Sequence, residues 1–582
     1  MWLINTATMR LEHFPNPENQ KYAILSHTWG DEEVSLQEFT DLERAKEKAG
    51  FVKIDKICRM ASSHGLKYAW VDTCCIDKTS SAELTEAINS MFQWYRQSDV
   101  CYAYLSDLPP CQFSDRGVAT LDWLSPSAGS NYRWFTRGWT LQELIAPQRL
   151  EFYDKDWEYR GDKSGLLVEV SRHTAIDARV LRDSDMLSQT PIARKMSWAS
   201  NRQTTRLEDM AYCLLGIFNV NMPMIYGEGG RAFTRLQEEI SKETNDLSLF
   251  AWTSRGTTTA SFSGLLAPSP AEFCQCREIV RFRNYLDPNP EFTMTNNGVR
   301  MEPNIGRTPS GEYVLSLECG LKAKASGHQH QRLGIYLFKT AFGFARGRPG
   351  QLFTTIDARV WAGERKTVYI YKSLRGEEQR RLSIEVSGCM FIKYNAPKPY
   401  LIQEMVSSPK ALWNPQGRYF LTMGSLSRGE TEQPYIYPLF TGFKGLNISR
   451  GGTHLCSCLL VCGLFPDSQS QLQPLAVLYA ESDPSTRTVF EAIRLSKGGE
   501  GNPVLLDQIR NFVISKHSPD TGEALVWEHI RDRVIETNVA TVRIEISHGR
   551  EAMDGDDADD AGNPSAADSK RCTISVDVLP KI

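Results

Sequence analysis

The stretch Tyr22-Ala-Ile-Leu-Ser-His-Thr-Trp-Gly30 decides the fold. Tyr22 to Leu25 form a short apolar run, which breaks into a polar cluster closed by glycine. Such a run, bounded by turn residues, reads as a strand buried on both faces. Three other runs share this character: Leu66-Lys-Tyr-Ala-Trp-Val-Asp72, Val100-Cys-Tyr-Ala-Tyr-Leu105 and Leu150-Glu-Phe-Tyr153. Helical patterns lie between them. Thr40-Asp-Leu-Glu43 has the form of a capping box and predicts a helix running to Ser63. Ser80-Ser-Ala-Glu83 opens another, with Leu84, Ile88, Met91 and Tyr95 at helical spacing. Arg137 to Ala146 predicts a short helix stopped by Pro147. This alternation predicts a parallel sheet with helices on both faces over residues 1–160.

Outward from this unit the pattern changes twice. Residues 161–255 read as helical. Thr205-Arg-Leu-Glu208 has the capping-box form, and Phe233, Leu236 and Ile240 mark a helix after Gly227-Glu-Gly-Gly230. From residue 256 to 582 the period becomes two, as in Tyr313-Val-Leu-Ser-Leu-Glu-Cys319, Arg332-Leu-Gly-Ile-Tyr-Leu337, Thr367-Val-Tyr-Ile-Tyr371, Arg381-Leu-Ser-Ile-Glu-Val386, Thr541-Val-Arg-Ile-Glu-Ile546 and Thr573-Ile-Ser-Val-Asp-Val578. These predict an all-β, sandwich-like region. Residues 551–570 are rich in Asp and predict a disordered acidic loop. The expected fold class is α/β plus all-β, in three parts.

Composition narrows the function classes. The chain has 582 residues, 41% hydrophobic and 23% charged, with a net charge of −4. That balance is ordinary for globular protein and carries no basic bias toward nucleic acid. The most apolar run, residues 456–465, is shorter than the roughly 20 residues a bilayer span needs. Residues 1–14 lack the pattern of a signal peptide, so a cytoplasmic location and reduced cysteines are expected. Cys456, Cys458 and Cys462 lie in an apolar strand-like run with only His454 near, and read as core rather than metal ligands. No metal and no resident cofactor are expected.

Three segments bring chemistry together. Ser26, His27, Thr28, Trp29 and Gly30 follow the first strand, and Asp72 to Asp77 follow the second, so both clusters fall at one sheet edge, where doubly wound sheets bind ligands. Arg137-Gly-Trp-Thr-Leu-Gln-Glu-Leu144 places Trp139 and Glu143 at i and i+4 on one helix face. A carboxylate beside an indole suits a sugar or nucleotide. Each residue also has a plainer reading: Trp139 as a core anchor, Glu143 as a solvated helix residue, His27 as a structural histidine, Asp77 as a loop cap. Cys74 or Cys75 with His27 and Asp72 supplies the types for a cysteine hydrolase, but without a nucleophile elbow structural cysteine is the better reading.

The three segments, "YAILSHTWG", "YAWVDTCCIDK" and "RGWTLQELIAP", resemble in order the signature blocks of the fungal heterokaryon-incompatibility (HET) domain. Residues 197–240 resemble the segment that follows it in many HET proteins. The HET domain is in turn similar to the TIR fold, a flavodoxin-like parallel sheet whose catalytic members cleave NAD at the nicotinamide–ribose bond. Their key Glu follows a Trp by four positions, as Glu143 follows Trp139 here, with Thr140 where plant members carry Cys. The resemblance therefore implies Glu143 as catalytic carboxylate. It implies an NAD-binding set of Ser26, His27, Thr28, Trp29, Gly30, Asp72, Asp77, Arg137 and Trp139. It also implies self/non-self recognition and cell death, with self-association or protein partners. The chain departs from relatives that continue into a nucleotide-binding domain, because it has no G-x-x-x-x-G-K-[ST] loop. Two readings stay open: an NAD-cleaving effector, and a non-enzymatic signalling module that acts by self-association.

Overall fold

Seven strands form the first sheet of the computed structural model: β1 (Trp2–Asn5), β2 (Arg10–His13), β3 (Tyr22–His27), β4 (Tyr68–Trp70), β5 (Val100–Tyr104), β6 (Leu150–Tyr153) and β7 (Tyr159–Asp162). Their spatial order is β2-β1-β4-β3-β5-β6-β7. β4, β3, β5 and β6 run parallel, as the apolar runs predict. β3 is buried at every position, which is why its sequence is a continuous apolar run rather than an alternation. The first parallel strand lies between the second and the third, so the winding reverses at β3. The carboxyl end of β3 is thus the switch point, where a crevice opens. β1, β2 and β7 extend the sheet antiparallel. β2 and β7 are edge strands of mixed burial and show no apolar run, whereas β1, mostly buried between β2 and β4, is not among the runs read from sequence.

The structure describes residues 1–110, 122–124, 132–255, 262–282, 291–308, 312–321, 331–340, 343–361, 365, 367–374, 390–408, 413–414, 419–420, 439–466, 472–495, 508–509, 512, 534–548 and 572–581. The expected strand at 381–386 and the acidic loop at 551–570 lie outside them. Among the described residues, no helix is long and apolar enough to cross a membrane.

Two of the three capping-box expectations need correction. Thr40 is not an N-cap: Asp41 caps the short helix Leu42–Lys46 by accepting from Arg44 N, and the full box forms one turn earlier, where Ser35 Oγ accepts from Glu38 N and Glu38 Oε2 accepts from Ser35 N. Helix α1 (Phe51–Ser63) starts only after Gly50, whose N–H bonds Glu32 O at 3.0 Å. A Cβ on Gly50 would stand 2.6 Å from that carbonyl, so only glycine fits there. At the start of α2 (Ser81–Gln97), Ser80 Oγ does accept from Glu83 N, while the Glu83 carboxylate turns to Asp77 N instead. Thr205 caps no helix, because Glu208 Oε1 is taken by Gly227 N and Gly229 N at 2.8 and 3.0 Å. The helix there, Asp209–Tyr212, begins after Glu208.

Residues 167–250 are mainly helical, as expected, and pack against a ten-stranded, largely antiparallel sheet built between Phe262 and Ile370. One apolar core runs from Leu3 and Ile24 through Leu214 and Phe250 to Leu315 and Ile370. Arg346 sits fully buried at the join. Its guanidinium donates to Phe250 O at 3.0 Å and to Trp252 O, and lies 4.0 Å over the Trp252 ring. Beyond residue 390, a six-stranded and a four-stranded sheet share a second core that includes Met390, Leu446, Leu478 and Val576. Cys458 and Cys462 are buried in it, and Cys456 is half-buried. Because two charge-assisted bonds hold the join, Arg346→Met is expected to lower unfolding stability by about 3 kcal/mol. The check is the urea midpoint, and an unchanged midpoint contradicts this account of the join.

Candidate functional site

The switch point opens into a cavity of about 800 Å³. β3 delivers Thr28 and Trp29 to it, and the turn after β4 delivers Asp72 and Ile76. Leu84, Ile88 and Met91 of α2 form its apolar wall, so the stripe legible in the sequence lines the cavity as well as the core. Arg137, Trp139 and Glu143 come from the third motif, and Gln203 to Arg206, Asp209 and Tyr226 close the far side.

Glu143 occupies a short helix, α3 (Thr140–Ile145), whose residues are all buried. Ser26 Oγ donates to Glu143 Oε2 at 2.5 Å, and the Trp134 indole donates to Ser26 Oγ at 2.8 Å. Burial pushes the Glu143 carboxyl up to about 7. The Ser26 bond opposes that rise, the Asp72 charge adds to it, and Arg137 and Tyr95 oppose it. The helix is pinned at both ends by buried cations. Arg202 donates to Arg137 O at 2.8 Å and to Thr140 Oγ1 at 2.9 Å. Lys163 Nζ donates to Leu144 O at 3.2 Å, to Ile145 O at 3.4 Å and to Pro147 O. Lys163 thereby satisfies carbonyls that a six-residue helix leaves without partners. Burial holds its ammonium down to about 8.

Asp72 is shared by two donors. His27 Nε2 meets Oδ1 at 3.0 Å, and the Trp29 indole meets Oδ2 at 2.8 Å. Lys53 Nζ lies 3.1 Å from His27 Nδ1 and can only donate, which assigns the ring hydrogen on Nε2 to Asp72. Burial works against ionisation of Asp72, yet the His27 bond and the charges of Lys78 and Arg137 hold it well below the usual carboxylate range. The Trp29 ring lies 3.9 Å from Lys78 Nζ and 5.4 Å from Arg137 Cζ. Trp139 lines the cavity together with Asp209, which accepts from Tyr226 Oη at 3.1 Å. Burial raises the Asp209 carboxyl.

Of the ten residues singled out from sequence, Thr28, Trp29, Asp72, Arg137, Trp139 and Glu143 line the cavity. Ser26 and His27 stand behind it as partners of Glu143 and Asp72. Gly30 and Asp77 are not among the lining residues. The Gly30 N–H is taken by Glu33 at 2.7 Å, and Asp77 accepts from Gln37 Nε2 and Thr79 N as a loop cap. Cys74 and Cys75 are buried against the Val71 backbone, and burial pushes the Cys74 thiol far up, the reverse of an activated nucleophile. Sequence reasoning missed Lys78, Arg133, Trp134, Arg206, Asp209 and Tyr226. The block at 197–240 marked the region of the last two and Arg206, but nothing in it assigned roles.

Residues 22–120 match a family model described as "Heterokaryon incompatibility protein (HET)", and residues 231–264 match one described as a "Domain of unknown function (DUF8212)". The "Vegetative incompatibility protein HET-E-1" of Podospora anserina is 41% identical over 301 residues, which cover 50% of this chain and 21% of that protein. The chain thus aligns with about a fifth of the length of that curated relative. No solved structure matches the chain.

A carboxyl raised from 4.5 to about 7 favours the fold when neutral. Its contribution is complete below about pH 4.5 and is lost as pH rises through about 7, a swing of about 3 kcal/mol. Glu143→Gln is therefore expected to match the wild type near pH 5 and to exceed it by up to about 3 kcal/mol near pH 8.5. Denaturant unfolding at the two pH values checks this, and an equal offset at both contradicts it.

Proposed function

From the similarity to the HET family model and to an incompatibility protein, we propose that this chain acts in vegetative incompatibility, as an effector in self/non-self recognition and cell death. We further propose that its TIR-like N-terminal sheet cleaves NAD at the nicotinamide–ribose bond. The observation that carries this is the Glu143 carboxyl, anchored by Ser26 at a cavity that also presents Trp29, Asp72, Arg137 and Trp139. The C1′–N bond breaks, nicotinamide leaves with the bonding pair, and positive charge develops on the ribose ring. A preorganised, water-poor carboxylate stabilises that charge more than water can. Water then adds at C1′ and loses a proton, giving ADP-ribose. Nicotinamide departs neutral, so no strong general acid is needed.

Ionised Glu143 is the working form, so turnover should rise as pH passes through about 7. Glu143→Ala is expected to lower nicotinamide release by about 10²–10³-fold while the chain stays folded. Chromatographic assay of nicotinamide from purified wild type and variant checks this. If folded wild type kills cells without consuming NAD, the cleavage reading fails and self-association without chemistry takes its place.

A further inference from the structure

The cavity has two walls of separate origin. Trp29, Asp72, Ile76 and Lys78 make the first, from the loops at the switch point, and Gln203 to Arg206, Asp209 and Tyr226 make the second. The second is welded to the Arg137-Gly138-Trp139 motif. Gln203 N donates to Thr136 O at 2.7 Å, Gly138 N donates to Gln203 O at 2.8 Å, and Arg137 and Gln203 form a parallel bridge. A Cβ on Gly138 would stand 2.5 Å from Thr204 Cγ2 and 3.1 Å from Cys213 Sγ, so this close approach requires the glycine. Asp209 is tied to Tyr226, and Glu208 Oε1 fixes the loop that follows Tyr226 through Gly227 N and Gly229 N.

The charges around the opening are uneven. Lys78, Arg133, Arg137 and Arg206 line the cavity, and among the described residues none of them forms an ion pair with a carboxylate. Lys78 and Arg137 instead lie over Trp29, and Arg206 lies over Tyr226, with Cζ 4.5 Å from the ring centre. Cations parked on aromatic faces beside an apolar pocket are free to turn to an anionic group. Lys78 and Arg137 serve the first wall, while Arg206 belongs to the second. We infer that residues 203–226 complete the ligand site within a single copy of the chain, and that Arg206 on this wall takes the phosphate-bearing end of a nucleotide ligand. The inference rests on the reading of the Glu143 cavity as a nucleotide site. It adds that no second copy is needed to build the pocket.

The test is binding of ADP-ribose to the full chain by calorimetry, which requires no turnover. Wild type is expected to bind one ADP-ribose per chain at concentrations where sedimentation shows a monomer. Arg206→Ala is expected to weaken binding by about tenfold with an unchanged ligand-free melting temperature, and Arg206→Lys to recover part of the loss. Raised salt should narrow the difference. Arg206-dependent binding by a chain that fails to release nicotinamide supports this inference while sinking the cleavage reading. The inference is overturned if the wild type binds no ADP-ribose, if Arg206→Ala binds as tightly as the wild type, or if only assembled chains bind.

Discussion

The hydrogen bond from Ser26 to the buried carboxyl of Glu143 joins the two halves of the site. Ser26 belongs to the strand at the sheet's switch point, and Glu143 to a helix more than a hundred residues later. A lone carboxyl at this depth is costly, and burial accordingly raises its pKa to about 7. It persists because the surroundings are overdetermined. Trp134 fixes Ser26, and Arg202 and Lys163 pin the two ends of the helix. The outcome is a carboxylate that changes charge near neutrality, beside a cavity, with few ways to move. Active sites are where such arrangements concentrate.

A second carboxylate shows the contrast that environment creates. Asp72 lies in the same cavity but receives hydrogen bonds from His27 and Trp29 and feels Lys78 and Arg137, so it stays ionised. Two carboxyl groups of opposite tendency, one held charged and one poised to titrate, thus face one cavity. Trp29 is engaged through its indole N–H by Asp72. The orientation of the Trp29 ring is therefore fixed by the protein itself.

What could be read from the sequence follows from the range of the interactions. Buried parallel strands must be apolar on both faces, so β3, β4, β5 and β6 were legible as runs, and Trp139 and Glu143 were legible as an i, i+4 pair. The edge strands β2 and β7 carry no such pattern. Capping boxes are local but ambiguous. Ser35–Glu38 and Thr40–Glu43 have the same form, and only the packing of Gly50 on Glu32 decides where the long helix begins. Glu208 fits a capping box in sequence, yet the N–H groups of Gly227 and Gly229 claim it from a later loop. The second wall of the cavity depends on contacts across some seventy residues, between Gly138 and the 203–213 segment, which no local pattern encodes. His27 and Asp72 were legible as neighbours at one sheet edge, but their direct bond, which leaves Asp72 and not His27 lining the cavity, was not.

The central claim is that Glu143 is a desolvated carboxyl that titrates near neutrality. Infrared difference spectroscopy of the intact protein across pH tests it directly, because a protonated carboxyl has a band of its own and most carboxyl groups are already ionised near pH 6. The account predicts a protonated-carboxyl band near pH 6 that disappears with a midpoint of about 7 and is missing from Glu143→Gln. A wild-type spectrum in which Glu143→Gln removes no such band, because Glu143 is already ionised at its ordinary value near 4.5, would contradict it.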